Sequence, residues 1–119
     1  MTANQALPLS VRAENLGLLA CAMVDYQAPE GSIHPAYTFQ AALALVLCED
    51  TRQLVKEIRT YNDIPRKLER ACMKAASLTL DLADVVIDAD GSEPEDFSVL
   101  ADLAEESVSA LADALISLT

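Results

Sequence analysis

Apolar residues recur along most of this chain in steps of three and four, the period of an α-helix with one buried face. The pattern is most regular between residues 64 and 89. There Ile64, Leu68, Ala71, Ala75, Leu78, Leu82, Val85 and Ala89 share one side, and Arg66, Lys67, Arg70, Lys74, Ser77, Asp81, Asp84 and Asp88 the other. Residues 93–118 repeat it, with Phe97, Leu100, Ala104, Val108, Leu111, Leu115 and Leu118 inward and Asp102, Glu105, Glu106, Ser109 and Asp113 outward. Segments at about 10–27 and 35–61 make up the first two of four helices. Turn chemistry separates them. Gln27-Ala28-Pro29-Glu30-Gly31-Ser32 reads as a loop, and Pro35 is placed to open the second helix. In Asn62-Asp63-Ile64-Pro65, either Asn62 or Asp63 is positioned to cap the third. Ser92 and Glu95 have capping-box spacing before the fourth, with Pro94 in its first turn. The expectation is all-α: a four-helix bundle of antiparallel neighbours with short loops, residues 1–119 forming one domain.

The apolar surface is wider than such a bundle requires. Met73, Ala76, Leu80, Ala83 and Ile87 form a second stripe on the third helix, which extends its apolar arc to roughly 240°. Val99, Leu103, Ala110 and Ala114 do the same on the fourth. A helix in a simple bundle buries a narrower face. Two arrangements satisfy this: the third helix is central and packed on two sides, or part of this surface joins another chain as a homodimer or partner interface; self-association through Met73, Leu80 and Ile87 would make the chain a structural or assembly protein.

Composition agrees with a helical fold and narrows the setting. The 119 residues are 52% apolar, with no Trp, two Phe and three Gly, and suffice for one hydrophobic core. Cys21, Cys48 and Cys72 are odd in number, lack CxxC spacing and fall in apolar helical stretches. They read as small buried hydrophobes in a reducing compartment, not as a disulfide framework or zinc site. Leu18-Leu19-Ala20-Cys21 has the form of a lipoprotein cleavage box, yet Arg12, Glu14 and Asn15 interrupt the apolar run before it. No stretch is read as the ~20 apolar residues of a membrane span. The expected location is cytoplasmic, with no membrane partner.

Charge is sorted along the chain. The net charge is −11. Residues 1–51 contribute −4, residues 52–74 contribute +4, and residues 75–119 carry eleven acidic and no basic side chains. Nearly all positive charge therefore lies around the connection between the second and third helices: Arg52, Lys56, Arg59, Arg66, Lys67, Arg70 and Lys74. Arg66, Lys67 and Arg70 stand at a helix N-terminus, and Asp84 and Asp88 at a C-terminus. Both placements oppose the helix dipole, at a few tenths to ~1 kcal/mol each. Pairing with acidic groups of the same molecule and contact with another molecule are the two gains that could offset this.

The acidic half repels nucleic acid and attracts proteins that bind it. In size and charge, not in motif, the chain is similar to phage-encoded inhibitors of bacterial defence systems and nuclease-neutralising immunity proteins. The expected partner is a protein with a basic surface, with no direct nucleic-acid binding. The expected docking face is Asp81, Asp84, Asp88, Asp102, Glu105, Glu106 and Asp113.

Catalytic chemistry has little support. His34, in the loop before Pro35, is the one histidine, so no nucleophile–base pair is legible, and the glycines form no phosphate loop. One carboxylate pattern remains. Glu49-Asp50-Thr51-Arg52-Gln53-Leu54 on the second helix is followed by Asp81-Leu82-Ala83-Asp84-Val85-Val86-Ile87 on the third. This resembles the MazG-like all-α nucleoside triphosphate pyrophosphohydrolases, which carry Glu-Glu-x-x-Glu on one helix and Glu-x-x-Asp with an aliphatic run on the next. The resemblance implies Mg²⁺ held by Glu49, Asp50, Asp81 and Asp84, with the ion positioning a triphosphate for attack by water. It covers residues 49–87. Gln53 stands where the family has a carboxylate, and Asp50 and Asp81 are shorter than its Glu. Asp50 also falls on the apolar stripe of Leu43, Leu47, Leu54 and Ile58, where a carboxylate needs a partner. No cofactor is expected outside that resemblance.

Overall fold

The computed structural model describes residues 1–26, 34–87 and 94–119, with the side chains of 34–38 and 94–96 excepted. Four helices run as α1 (Ala3–Asp25), α2 (His34–Ile58), α3 (Arg66–Ile87) and α4 (Pro94–Ile116). No strand occurs among the described residues.

The largest departure from the sequence reading is the start of α1, seven residues earlier than expected. Thr2 Oγ1 accepts from the Gln5 amide at 3.2 Å, and Gln5 Oε1 accepts from the Thr2 amide at 2.8 Å. This reciprocal box satisfies two amides that an uncapped helix would leave open. Pro8 then lies inside α1 on its exposed side, so the carbonyl that loses its N–H partner is not sealed in the core. Two smaller corrections concern helix starts. His34 is the first residue of α2, not part of the preceding loop. Arg66 opens α3, so Asn62 and Asp63 precede its first turn by too much to cap it. Pro94 opens α4 as expected, while the Ser92–Glu95 capping box lies outside the described residues.

Helices consecutive in sequence pack on one another, and α1 packs most extensively on α4, which closes the ring. The helix axes thus occupy the corners of a square, and the α1–α4 flank is opposite the α2–α3 flank. Direction follows from the ends. The Met1 ammonium donates to the Asp63 carbonyl at 2.8 Å, tying the start of α1 to the α2–α3 connection. Gln40 Nε2 donates to the Met23 carbonyl at 3.0 Å, tying the end of α1 to the start of α2. The body measures 50 × 23 × 18 Å.

Leu9, Leu16, Met23, Leu47, Leu54, Ile58, Leu68, Leu82, Val108, Leu111 and Leu115 fill the core. Alanines 13 and 20 on α1 and 101, 104 and 112 on α4 let those two helices approach closely. On α4 the expected inward stripe is buried from Phe97 to Leu115, with Leu100 and Leu118 half-buried. On α3, Leu68, Ala75 and Leu82 are buried as expected, while Ala71, Leu78 and Val85 are half-buried and the core face turns towards Cys72, Thr79 and Ala83. The alternative of a central α3 packed on two sides is overturned: Met73, Leu80 and Ile87 are 57%, 47% and 69% exposed.

Buried hydroxyls on helices normally bond back to the preceding turn. Ser10 donates to the Leu7 carbonyl at 2.6 Å, Ser107 to Ala104 at 2.8 Å and Thr79 to Ala75 at 2.8 Å. Thr51 does not. It is fully buried, and its Oγ1 has no partner among the described residues.

Two further expectations change. Cys48 and Cys72 are buried, but Cys21 is exposed, and all three thiols are free. By length and composition α1 is also long and apolar enough to cross a membrane. In this fold its Ala6, Leu9, Ala13, Leu16, Ala20 and Met23 are committed to the bundle core.

Candidate functional site

The four carboxylates suggested as metal ligands are not brought together. Glu49 is exposed and accepts from Gln53 Nε2 at 3.1 Å, one turn along its own helix. Asp50 is exposed as well. It leaves the buried stripe, which runs through Leu47, Thr51, Leu54 and Ile58, and instead lines a groove against α1 with Arg12, Asn15, Leu16 and Gln53. Asp81 and Asp84 are exposed on α3. Among the described residues no three His, Cys, Asp or Glu side chains converge on a position fit for a metal ion. The donor set does not fit Mg²⁺, and no catalytic step follows from it.

The acidic residues of α4 have a clearer setting. Asp102, Glu106 and Asp113 are exposed and Glu105 is half-buried. At 100° per residue they fall on the side of α4 that turns away from α3 and towards α1. Asp81 and Asp84 sit on the outer face of α3, and the exposed stripe of Val99, Leu103 and Ala110 separates the two sets. The expected docking face is thus divided, and Asp88 lies outside the described residues.

Two of the α4 carboxylates, Glu105 and Asp113, line a groove along α1 of about 480 Å³, walled by Glu14, Gly17, Leu18 and Cys21 on one side and by Glu105, Ser109, Ala112, Asp113 and Ile116 on the other. Its floor is apolar and its rim is acidic. Leu18 is 70% exposed, and a Cβ built on Gly17 would meet no atom within 4 Å, so this wall is open. Cys21 Sγ donates to Asp25 Oδ2 at 3.4 Å. That hydrogen bond and the Asp25 charge raise the thiol above its ordinary range, with a smaller contribution from Glu105 across the groove. Sequence reading missed Glu14, Gly17, Leu18 and Cys21. Their spacing, in steps of three and four on the side of α1 away from the core, was the available signal.

Opposite this flank is the basic one. Arg52, Gln53, Val55, Lys56, Arg59 and Thr60 of α2 line a groove of about 430 Å³ with Ala76 of α3. Among the described residues Arg12–Glu57, bridging α1 and α2, is the one ion pair. Among the described residues, neither Asp102, Glu105, Glu106 and Asp113 of α4 nor the basic residues of α2 and α3 form an ion pair within this molecule. The two deeply placed thiols are poor nucleophiles. Burial pushes Cys72 up to about 11, and burial also raises Cys48.

No family model, no curated protein and no solved structure matches the chain.

Proposed function

We propose that this chain is a non-catalytic, cytoplasmic binding protein that docks through its acidic α1–α4 flank onto the basic surface of a protein partner. The supporting observation is the set Asp102, Glu105, Glu106 and Asp113 on α4, beside an apolar groove, none of which forms an ion pair with a lysine or arginine among the described residues. A net charge of −11 repels nucleic acid, so the basic surface it suits belongs to a protein. Basic protein surfaces of that extent commonly serve nucleic acid, and a guest of this charge would exclude it. The proposed role is therefore inhibition of a nucleic-acid-handling partner, as phage anti-defence and immunity-type proteins act.

The test combines capture with competition. The reversed variant Asp102→Lys/Glu105→Lys/Glu106→Lys should lose a basic host protein that the natural sequence retains, with helical circular dichroism unchanged. Nucleic acid added in excess should displace that protein from the natural sequence. Equal capture by both proteins, or capture indifferent to nucleic acid, refutes the proposal.

A further inference from the structure

The two opposite flanks of the bundle share one design with the signs exchanged. On the α1–α4 side, exposed Leu18 and Ile116 accompany Glu14, Glu105 and Asp113. On the α2–α3 side, Arg52, Lys56 and Arg59 border a groove reaching Ala76. Ala76 belongs to the stripe that continues through Met73, Leu80 and Ile87, all exposed. Spacing also agrees. Glu105 and Asp113 are separated by about 12 Å along α4, and Arg52 and Arg59 by about 10 Å along α2, at 1.5 Å per residue.

From this complementarity we propose that the protein associates head to tail with its own copies, the basic α2–α3 flank of one molecule seating on the acidic α1–α4 flank of the next. The apolar stripes meet in the middle, and the cations Arg52, Lys56 and Arg59 along the α2 edge face Glu105 and Asp113 along the α4 edge. The occupant of each flank is a second copy of this chain. This accounts for the wide apolar arc of α3, whose Met73, Leu80 and Ile87 are exposed. It also goes beyond the partner reading without depending on it. A basic partner on the α1–α4 flank would simply compete with the next copy.

Strength can be bounded. The stripe from Met73 to Ile87 is about 21 Å long, and the body is 23 × 18 Å across. Contact over that patch covers roughly 400–500 Å² per molecule, well below the ~800 Å² per partner of a standard stable interface. Association is therefore weak and reversible. Because the contacting surfaces differ, it is not closed by a two-fold axis and extends beyond a dimer. Salt acts against it. Screening at close range weakens the carboxylate–cation contacts, although it also relieves the general repulsion between molecules of charge −11.

Sedimentation of the whole chain from about 5 to 500 µM, the range where weak complexes populate, tests this. Expected is a weight-average mass that climbs past two copies of 12.8 kDa and falls again in high salt. Two triple variants supply the decisive comparison: Glu14→Lys/Glu105→Lys/Asp113→Lys and Arg52→Glu/Lys56→Glu/Arg59→Glu. Each alone should be monomeric, since its two flanks carry like charge. Mixed in equal amounts they should associate again, because every flank then finds its opposite. If either variant loses its helical circular dichroism, Glu105→Lys and Lys56→Glu alone carry the same comparison, each weakening association several-fold. A natural chain that stays monomeric overturns the proposal. So does a dimer that survives both reversals and dissociates only on Leu80→Glu, which is the signature of a two-fold homodimer through Met73, Leu80 and Ile87.

Discussion

Replacing Thr51 by Val should stabilise this protein, and the size of the gain can be worked out. Thr51 lies fully buried on the core face of α2 between Leu47 and Leu54, and its Oγ1 is unpaired. Both side chains are β-branched, so helix propensity and χ1 restriction barely change. What changes is one hydroxyl that gives up water on folding and receives nothing in return, a penalty of about 1–3 kcal/mol. A methyl group in its place removes that penalty and keeps the packing. We expect a net gain of about 1–2 kcal/mol. For 119 residues the unfolding entropy near the midpoint is roughly 0.25 kcal/mol/K, so the thermal midpoint should rise by about 4–8 °C. Thr79→Val is the internal control. Thr79 is equally buried, but its hydroxyl donates to the Ala75 carbonyl at 2.8 Å. Its replacement should be neutral or cost up to about 1 kcal/mol. Paired thermal and urea unfolding of the three proteins measures both. If Thr51→Val proves no more stable than the natural chain, the hydroxyl has a partner in solution and the reasoning fails. Equal gains from both substitutions would fail it too, since the effect would then be general to threonine in this core.

Gly17→Ala should stabilise α1 by about 0.5–1 kcal/mol, because a Cβ meets no atom there and glycine is the costlier helix residue. A loss in chemical denaturation would show the site to be tighter than its geometry. Among the thiols, only Cys21 should react with an alkylating reagent in the folded protein, with Cys48 and Cys72 labelled only after unfolding. The sign of the Asp25 effect is fixed: the carboxylate disfavours the thiolate, so Asp25→Asn should lower the Cys21 pKa and speed alkylation at pH 8. An unchanged rate would remove Asp25 as the cause. For Cys72 the folded value near 11 exceeds the ordinary 9.0, so stability should fall as pH rises from about 9 towards 11 while the unfolded thiol ionises and the folded one does not. Finally, Mg²⁺ with a panel of nucleoside triphosphates should release no pyrophosphate. Release that Asp50→Ala abolishes would overturn the non-catalytic reading.

The periodicity of apolar positions by itself determined four helices and their order, because burying one face of each is the cheapest way for such a chain to leave water. It also selected the inward stripe of α4, where Phe97, Ala104, Val108, Leu111 and Leu115 are all buried. The sorting of charge into a basic middle and an acidic second half was equally legible. The start of α1 was placed too late, although the Thr2–Gln5 box that opens the helix is written in the same residues. Tertiary structure decided what lies beside what. Helical angle says that a side chain leaves the core, but not which neighbour it then meets. Only the closing of α1 on α4 sets Glu14 and Leu18 across from Glu105 and Asp113. The same ring turns Asp50 towards α1, away from Asp81 and Asp84, and leaves Met73, Leu80 and Ile87 bare. Each of these depends on contacts between residues distant in sequence, which no local pattern encodes.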